Sequence, residues 1–122
     1  MERILVCGSR DYTNASLIEE TLSVLHRWLG PFILVHGACP TGADKIASNW
    51  AQRKGITQEP HPANWRGNGK RAGYVRNQEM IDSGIDQVLA FSTGMLAYSK
   101  GTYMMVGLAE FAGVRVQVFE GP

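Results

Sequence analysis

The stretch Phe32 to Ala51, F-I-L-V-H-G-A-C-P-T-G-A-D-K-I-A-S-N-W-A, sets three patterns end to end. Phe32–His36 is a short branched, apolar run of strand type, and Ala43, Ile46, Ala47, Trp50 and Ala51 return at helical spacing. Between them, His36–Asp44 carries two glycines and a Thr41-x-x-Asp44 box. A junction of this kind opens a helix whose first N–H groups and dipole favour an anion. A phosphate-bearing ligand is the first expectation.

Working outward, the same grammar recurs. Arg3–Cys7, Thr57–His61, Gln87–Phe91 and Val114–Phe119 are further strand candidates, and Ile18, Leu22, Leu25 and Leu29 form a second helical stripe. Ser16-x-x-Glu19 and Thr41-x-x-Asp44 read as capping boxes, while Gly30-Pro31 and Gly55 read as helix stops. Strands alternating with helices, most of them apolar throughout and so covered on both faces, predict an α/β fold. Its sheet is a mostly parallel five-stranded one flanked by helices in three layers. Pro60–Gly73 is the one long stretch without a period, and its glycines, prolines and basic cluster read as a functional loop.

At 122 residues the chain fits one domain, 1–122, with no room for a separate catalytic appendage. Twelve Lys and Arg against eleven Asp and Glu give a formal charge of +1, so any basic site must be local. Cys7 and Cys39 each follow an apolar run and read as buried, reduced thiols; no Cys/His spacing suggests zinc, and no cofactor is expected. No apolar run is long enough to cross a bilayer and no signal peptide is visible, so a cytoplasmic protein is expected.

In a parallel sheet the residues after each strand meet on one rim, where ligands bind. These are Gly8-Ser9-Arg10-Asp11, Gly37 to Asp44 (with Thr41, Gly42 and Ala43), Pro62–Trp65 (with Asn64), Ser92-Thr93-Gly94, and Ser99-Lys100-Gly101-Thr102. Arg10 suits a phosphate by its fork geometry, or pairs with Asp11. Asp44 either caps its own helix or receives ribose hydroxyls and orients a neighbouring N–H. A helix beginning near Lys70 places Gly73, Asn77, Met80, Ile81 and Gly84 on one face, with Arg76 beside the gap that Gly and Asn leave. Lys70, Arg71 and Arg76 form either a basic lip or a solvated face. Trp28 and Trp50 fall on or near core faces, whereas Trp65 sits in the loop and either packs there or stacks on a base. Met104, Met105, Val106 and Leu108 make one helix unusually apolar, and a homodimer through the later helices is expected. The phosphate-loop, dinucleotide, nucleophile-elbow and zinc-protease signatures are absent, and the three histidines read as structural.

The sequence of motifs V-C-G-S-R-D-Y, V-H-G-A-C-P-T-G-A-D-K-I-A, H-P-A-N-W, R-N-Q-E-M and S-K-G-T-x-x-M closely resembles the YspA-like, YpsA-related branch of the SLOG superfamily. The resemblance spans nearly the whole chain and implies a Rossmann-like fold. It also implies a nucleotide or nucleotide-derived ligand, NMP-like or ADP-ribose-like, among Gly8, Ser9, Arg10, the Gly37–Asp44 loop, Arg76-Asn77 and Gly101-Thr102. The superfamily's LOG-type phosphoribohydrolases use a P-G-G-x-G-T-x-x-E motif and an arginine to cleave an N-glycosidic bond. Here Arg76 and Gly101-Thr102 match, but the glutamate position is Met105, which can move no proton, leaving Glu79 as a substitute carboxylate. The related DprA proteins bind single-stranded DNA; the short cluster Arg66, Lys70, Arg71 and Arg76 around Trp65 and Tyr74 keeps that as a lesser alternative.

Overall fold

The computed structural model describes residues 1–121. Along the chain run β1 (Arg3–Gly8), α1 (Ala15–Leu29), β2 (Ile33–His36), α2 (Gly42–Lys54), β3 (Thr57–Pro60), α3 (Trp65–Asn68), α4 (Ala72–Asp82), β4 (Gln87–Ser92), α5 (Lys100–Phe111) and β5 (Arg115–Glu120). Short 3-10 turns occupy Gly69–Arg71 and Leu96–Tyr98. The five strands form one sheet in the order β3-β2-β1-β4-β5, and every pairing is parallel. The expected fold class is present, and the sheet is wholly rather than mostly parallel.

Consecutive residues of a strand point to opposite faces, and β1 uses both. Ile4 and Val6 join Leu34, Leu89 and Phe91 in a core with Ile18, Leu22, Ala47 and Trp50 of α1 and α2. Leu5 joins Val35 and Val88 in a second core with Met80 and Ile81 of α4 and Met105 and Ala109 of α5. Each such side chain, fully buried, contributes about 1.5–3 kcal/mol relative to exposure. Trp50 stacks on Phe32 at a centroid distance of 6.1 Å, which ties α2 to the start of β2. The edge strands are the exceptions: β3 and β5 carry exposed polar residues.

Several local expectations change. The cap of α1 is Asn14, whose side chain accepts a hydrogen bond from the Leu17 amide at 3.2 Å; Ser16 lies inside the helix. Thr41 does occupy the cap position of α2, but its hydroxyl donates to the Arg10 carbonyl instead of closing a box with Asp44. Gly30 and Gly55 end their helices as expected. Pro60–Gly73 is largely helical, holding α3 and a 3-10 turn, and α4 begins at Ala72 rather than near Lys70. Trp28 is 83% exposed and Leu29 is also exposed, because the last turn of α1 runs beyond the core. Of the apolar residues on α5, Met105 and Val106 are buried and Met104 and Leu108 half-buried, so much of that surface is used within the chain. Both cysteines are free and half-buried rather than fully buried. No described helix is long and apolar enough to cross a membrane.

Candidate functional site

The strand order turns at β1, with β2 and β3 on one side and β4 and β5 on the other, and such a switch point opens a crevice beyond the carboxyl ends of the strands. Gly8 stands at that point, and a Cβ there would run into the Phe91 carbonyl and the Ala43 side chain. Glycine therefore lets β1, β4 and the start of α2 meet. Beyond it, the Ser9 amide donates to the Phe91 carbonyl at 2.9 Å and the Ser9 carbonyl accepts from the Ala43 amide at 3.3 Å. Gly42 has φ +72°, and a side chain there would strike the Ser9 carbonyl. The peptide of Ser9–Arg10 thus lies across the first turn of α2. At this helix end the Ala43 amide is taken by the protein's own Ser9 carbonyl.

The first turn of α5 is different. The amides of Gly101 and Thr102 take no backbone partner from the described residues. Hydroxyls surround them: Ser99 Oγ donates to Thr102 Oγ1 at 3.1 Å, and Ser9 Oγ and Ser99 Oγ share a hydrogen bond of 3.1 Å. The Thr93 amide donates to Ser9 Oγ at 3.1 Å, and the Thr93 hydroxyl donates to Asp11 at 2.8 Å. Asp11 is therefore held by Thr93 and not by Arg10, which is exposed and has no ion pair among the described residues. Ser92 is 1% exposed, lies in the wall, and its Oγ has no partner.

On the β2 side, Asp44 is buried, and its Oδ2 accepts from the Gly37 amide at 3.1 Å and the Cys39 amide at 3.3 Å. Arg76 Nη1 donates to the Gly37 carbonyl at 2.6 Å, and Nε donates to Asn77 Oδ1 at 2.9 Å. A Cβ on Gly37 would stand 2.5 Å from Arg76 Nη1 and 3.1 Å from Asp44 Oδ2, so only glycine admits both groups. Burial pushes the Asp44 carboxyl above the usual range, opposed by the Cys39 amide, His36, Arg76 and the Gly37 amide. Burial, and then the Asp44 charge, push the Cys7 thiol upward, with Arg76 acting against them. His36 is structural: its Nδ1 accepts from the Ala38 amide at 3.0 Å, which leaves the ring proton on Nε2 for Gln58. Ala38 itself sits at φ +59°, a left-handed conformation unusual outside glycine.

These groups line one cleft of about 1150 Å³. Of the residues expected from sequence, Gly8, Ser9, Arg10, Asp11, Gly37, Thr41, Asp44, Trp65, Arg76, Asn77, Gly101 and Thr102 face it. Four do not. Gly42 and Ala43 lie behind the Ser9–Arg10 peptide, Asn64 caps α3 by accepting from the Gly67 amide at 2.9 Å, and Glu79 is exposed on α4 outside the lining. Asn77 holds Arg76 in place, and Met105, buried to 1%, forms part of the cleft wall. Ser92, Thr93, Ser99 and Lys100, which belong to the expected rim without a binding signal of their own, also line the cleft, as do Met95 and Tyr98, which carry no signal in the sequence. Among the described residues, no three of His, Cys, Asp and Glu gather as metal ligands.

Fold and site together define a small Rossmann-like α/β protein with a cleft at its switch point. The chain belongs to the YspA, cpYpsA-related SLOG family, whose sequence model matches residues 2–67. It is 38% identical to the Gene 61 protein of Mycobacterium phage D29 over 122 residues, covering 95% of this chain and 94% of that one. Its fold is also similar to the C-terminal domain of a Pyrococcus furiosus hydrogenase, with TM-score 0.56 and 16% identity over 97% of this chain and 91% of that domain. Family membership associates the chain, at a coarse level, with nucleotide-related binding.

Proposed function

We propose that the cleft binds a nucleotide or nucleotide-derived molecule, with phosphate on the first turn of α5 and beside Arg10, and ribose near Asp44. The first turn of α5 carries this reading. It offers two free amides at the positive end of a helix, flanked by hydroxyls, and the buried, unpartnered Ser92 Oγ belongs to a residue lining the same cleft. An unsatisfied buried hydroxyl costs about 1–3 kcal/mol, which a phosphate oxygen within reach would relieve. Arg10 is free to close on the same anion, while Arg76 is held against the Gly37 carbonyl and lends its charge from a fixed position.

Binding without cleavage of the glycosidic bond is what this arrangement supports. The position of the hydrolases' glutamate holds the buried Met105, and Glu79 lies outside the cleft. The two acids that line it, Asp11 and Asp44, are engaged by Thr93 and by two backbone amides. Titration calorimetry with AMP and ADP-ribose, followed by chromatography for free base, tests this. Saturable binding without base release is expected. Arg10→Ala should weaken it about tenfold or more, the scale of a charge-assisted hydrogen bond, with the melting midpoint unchanged. Absence of binding by either nucleotide would sink the reading, and release of adenine would replace it with an enzymatic one.

A further inference from the structure

The cleft is wide, and an exposed aromatic residue lines it on the side of each half of the sheet. Its volume of about 1150 Å³ lies above the ~300–1,000 Å³ common for sites that enclose a drug-sized ligand. It crosses the carboxyl ends of the strands from β3, which leads into Trp65, to β4, which leads into Tyr98. On the Tyr98 side the Leu96 amide donates to Glu120 at the end of β5, which draws this turn toward the far edge of the sheet. With strands about 4.8 Å apart, β3 and β4 are separated by three spacings, about 14 Å.

At each end stands an aromatic ring with little to cover it. Trp65 is 54% exposed and Tyr98 is 83% exposed, yet both line the cleft. The indole of Trp65 lies beside Gly73, where an added Cβ would be 3.8 Å from Cη2, so α4 steadies the ring at its edge. The groups suited to phosphate lie between the two rings: Arg76 near β2, Arg10 after β1, and the free amides of α5. The field on the Trp65 side is positive, since residues 60–78 contain Arg66, Lys70, Arg71 and Arg76 and no acid. Aromatic ring, cations and amides, aromatic ring is the order a ligand must match.

Building on the nucleotide reading above, we infer that the ligand is two-ended: two flat heterocycles joined through a pyrophosphate, a dinucleoside pyrophosphate in chemical class. One base stacks on Trp65 and the other on Tyr98, and the bridging phosphates lie over the central amides and Arg10. Exposed aromatic faces of this kind accept any base, so the rings set the length of the ligand and not the identity of its bases.

Titration calorimetry with diadenosine pyrophosphate and with ADP-ribose, which shares the first base and the pyrophosphate but lacks the second base, tests the inference. The dinucleotide should bind about fivefold to a hundredfold more tightly, the range that one base–aromatic stack supplies. Of Trp65→Ala and Tyr98→Ala, one should weaken both ligands and the other the dinucleotide alone. Both side chains are exposed, and unchanged thermal melts would confirm that the variants fold. Equal affinity for the two ligands, or a dinucleotide affinity that ignores either substitution, overturns the two-ended ligand and leaves the nucleotide reading standing. No binding of either ligand overturns both.

Discussion

Asp44 shows how much of this site rests on single residues. Its carboxylate is buried between two backbone amides and near Arg76, but burial dominates and holds its carboxyl above the usual range. At a pH between the ordinary and the raised value, the folded chain keeps a proton that the unfolded chain has released. The stability tied to Asp44 is therefore fully present below the ordinary carboxylate range and is lost as pH rises through the raised value. Asp44→Asn keeps an acceptor for the Gly37 and Cys39 amides and removes the charge. Thermal melts should show the variant more stable than the parent at pH 7, with the gap closing toward acid pH; a gap independent of pH would show that burial of the charge is not the cause. The sequence marks Asp44 as important, either as a cap of its own helix or as a receiver of ribose hydroxyls that orients a neighbouring N–H. What it does, accepting from two amides upstream, depends on the path of the Gly37–Thr41 loop, which no spacing encodes.

Among the elements, the helices show most clearly which signals are local. The apolar stripe of α2 is fully legible: Ala43, Ala47, Trp50 and Ala51 are buried as their spacing requires, and Gly55 ends the helix in the left-handed region. The start of α1 is not, because Asn14 and Ser16 both suit a cap and only the chain's approach decides between them. Asn14→Ala should cost about 0.5–2 kcal/mol in urea denaturation, whereas Ser16→Ala should cost much less; the reverse order would return the cap to Ser16. In the segment 65–71, Gly67, Asn68 and Gly69 suppress any helical period, and the sequence predicts a loop. The segment forms short helical turns because Asn64 caps the Gly67 amide.

For the molecule as a whole, the decisive contact is the meeting of β1, β4 and α2 at Gly8, which joins the two halves of the sheet beside the cleft. A methyl group there has no room, with the Phe91 carbonyl and Ala43 against it. Gly8→Ala should therefore destabilise by about 1–3 kcal/mol or more. Gly94→Ala, which also faces the cleft but meets nothing within 4 Å, should change stability by less than about 0.5 kcal/mol. Equal urea midpoints for the two variants would remove Gly8 from this role. At this scale the boundary between sequence and structure is clear. The alternation of apolar strands with amphipathic helices determined the parallel α/β sheet and which loops meet at its rim, because periodicity and handedness leave few other ways to bury those faces. Within that rim, only the tertiary structure decided how the two helix starts differ. The Ala43 amide of α2 is taken by the Ser9 carbonyl, whereas no amide in the first turn of α5 meets a carbonyl from a distant segment, and this difference comes from backbone packing between segments far apart in the chain.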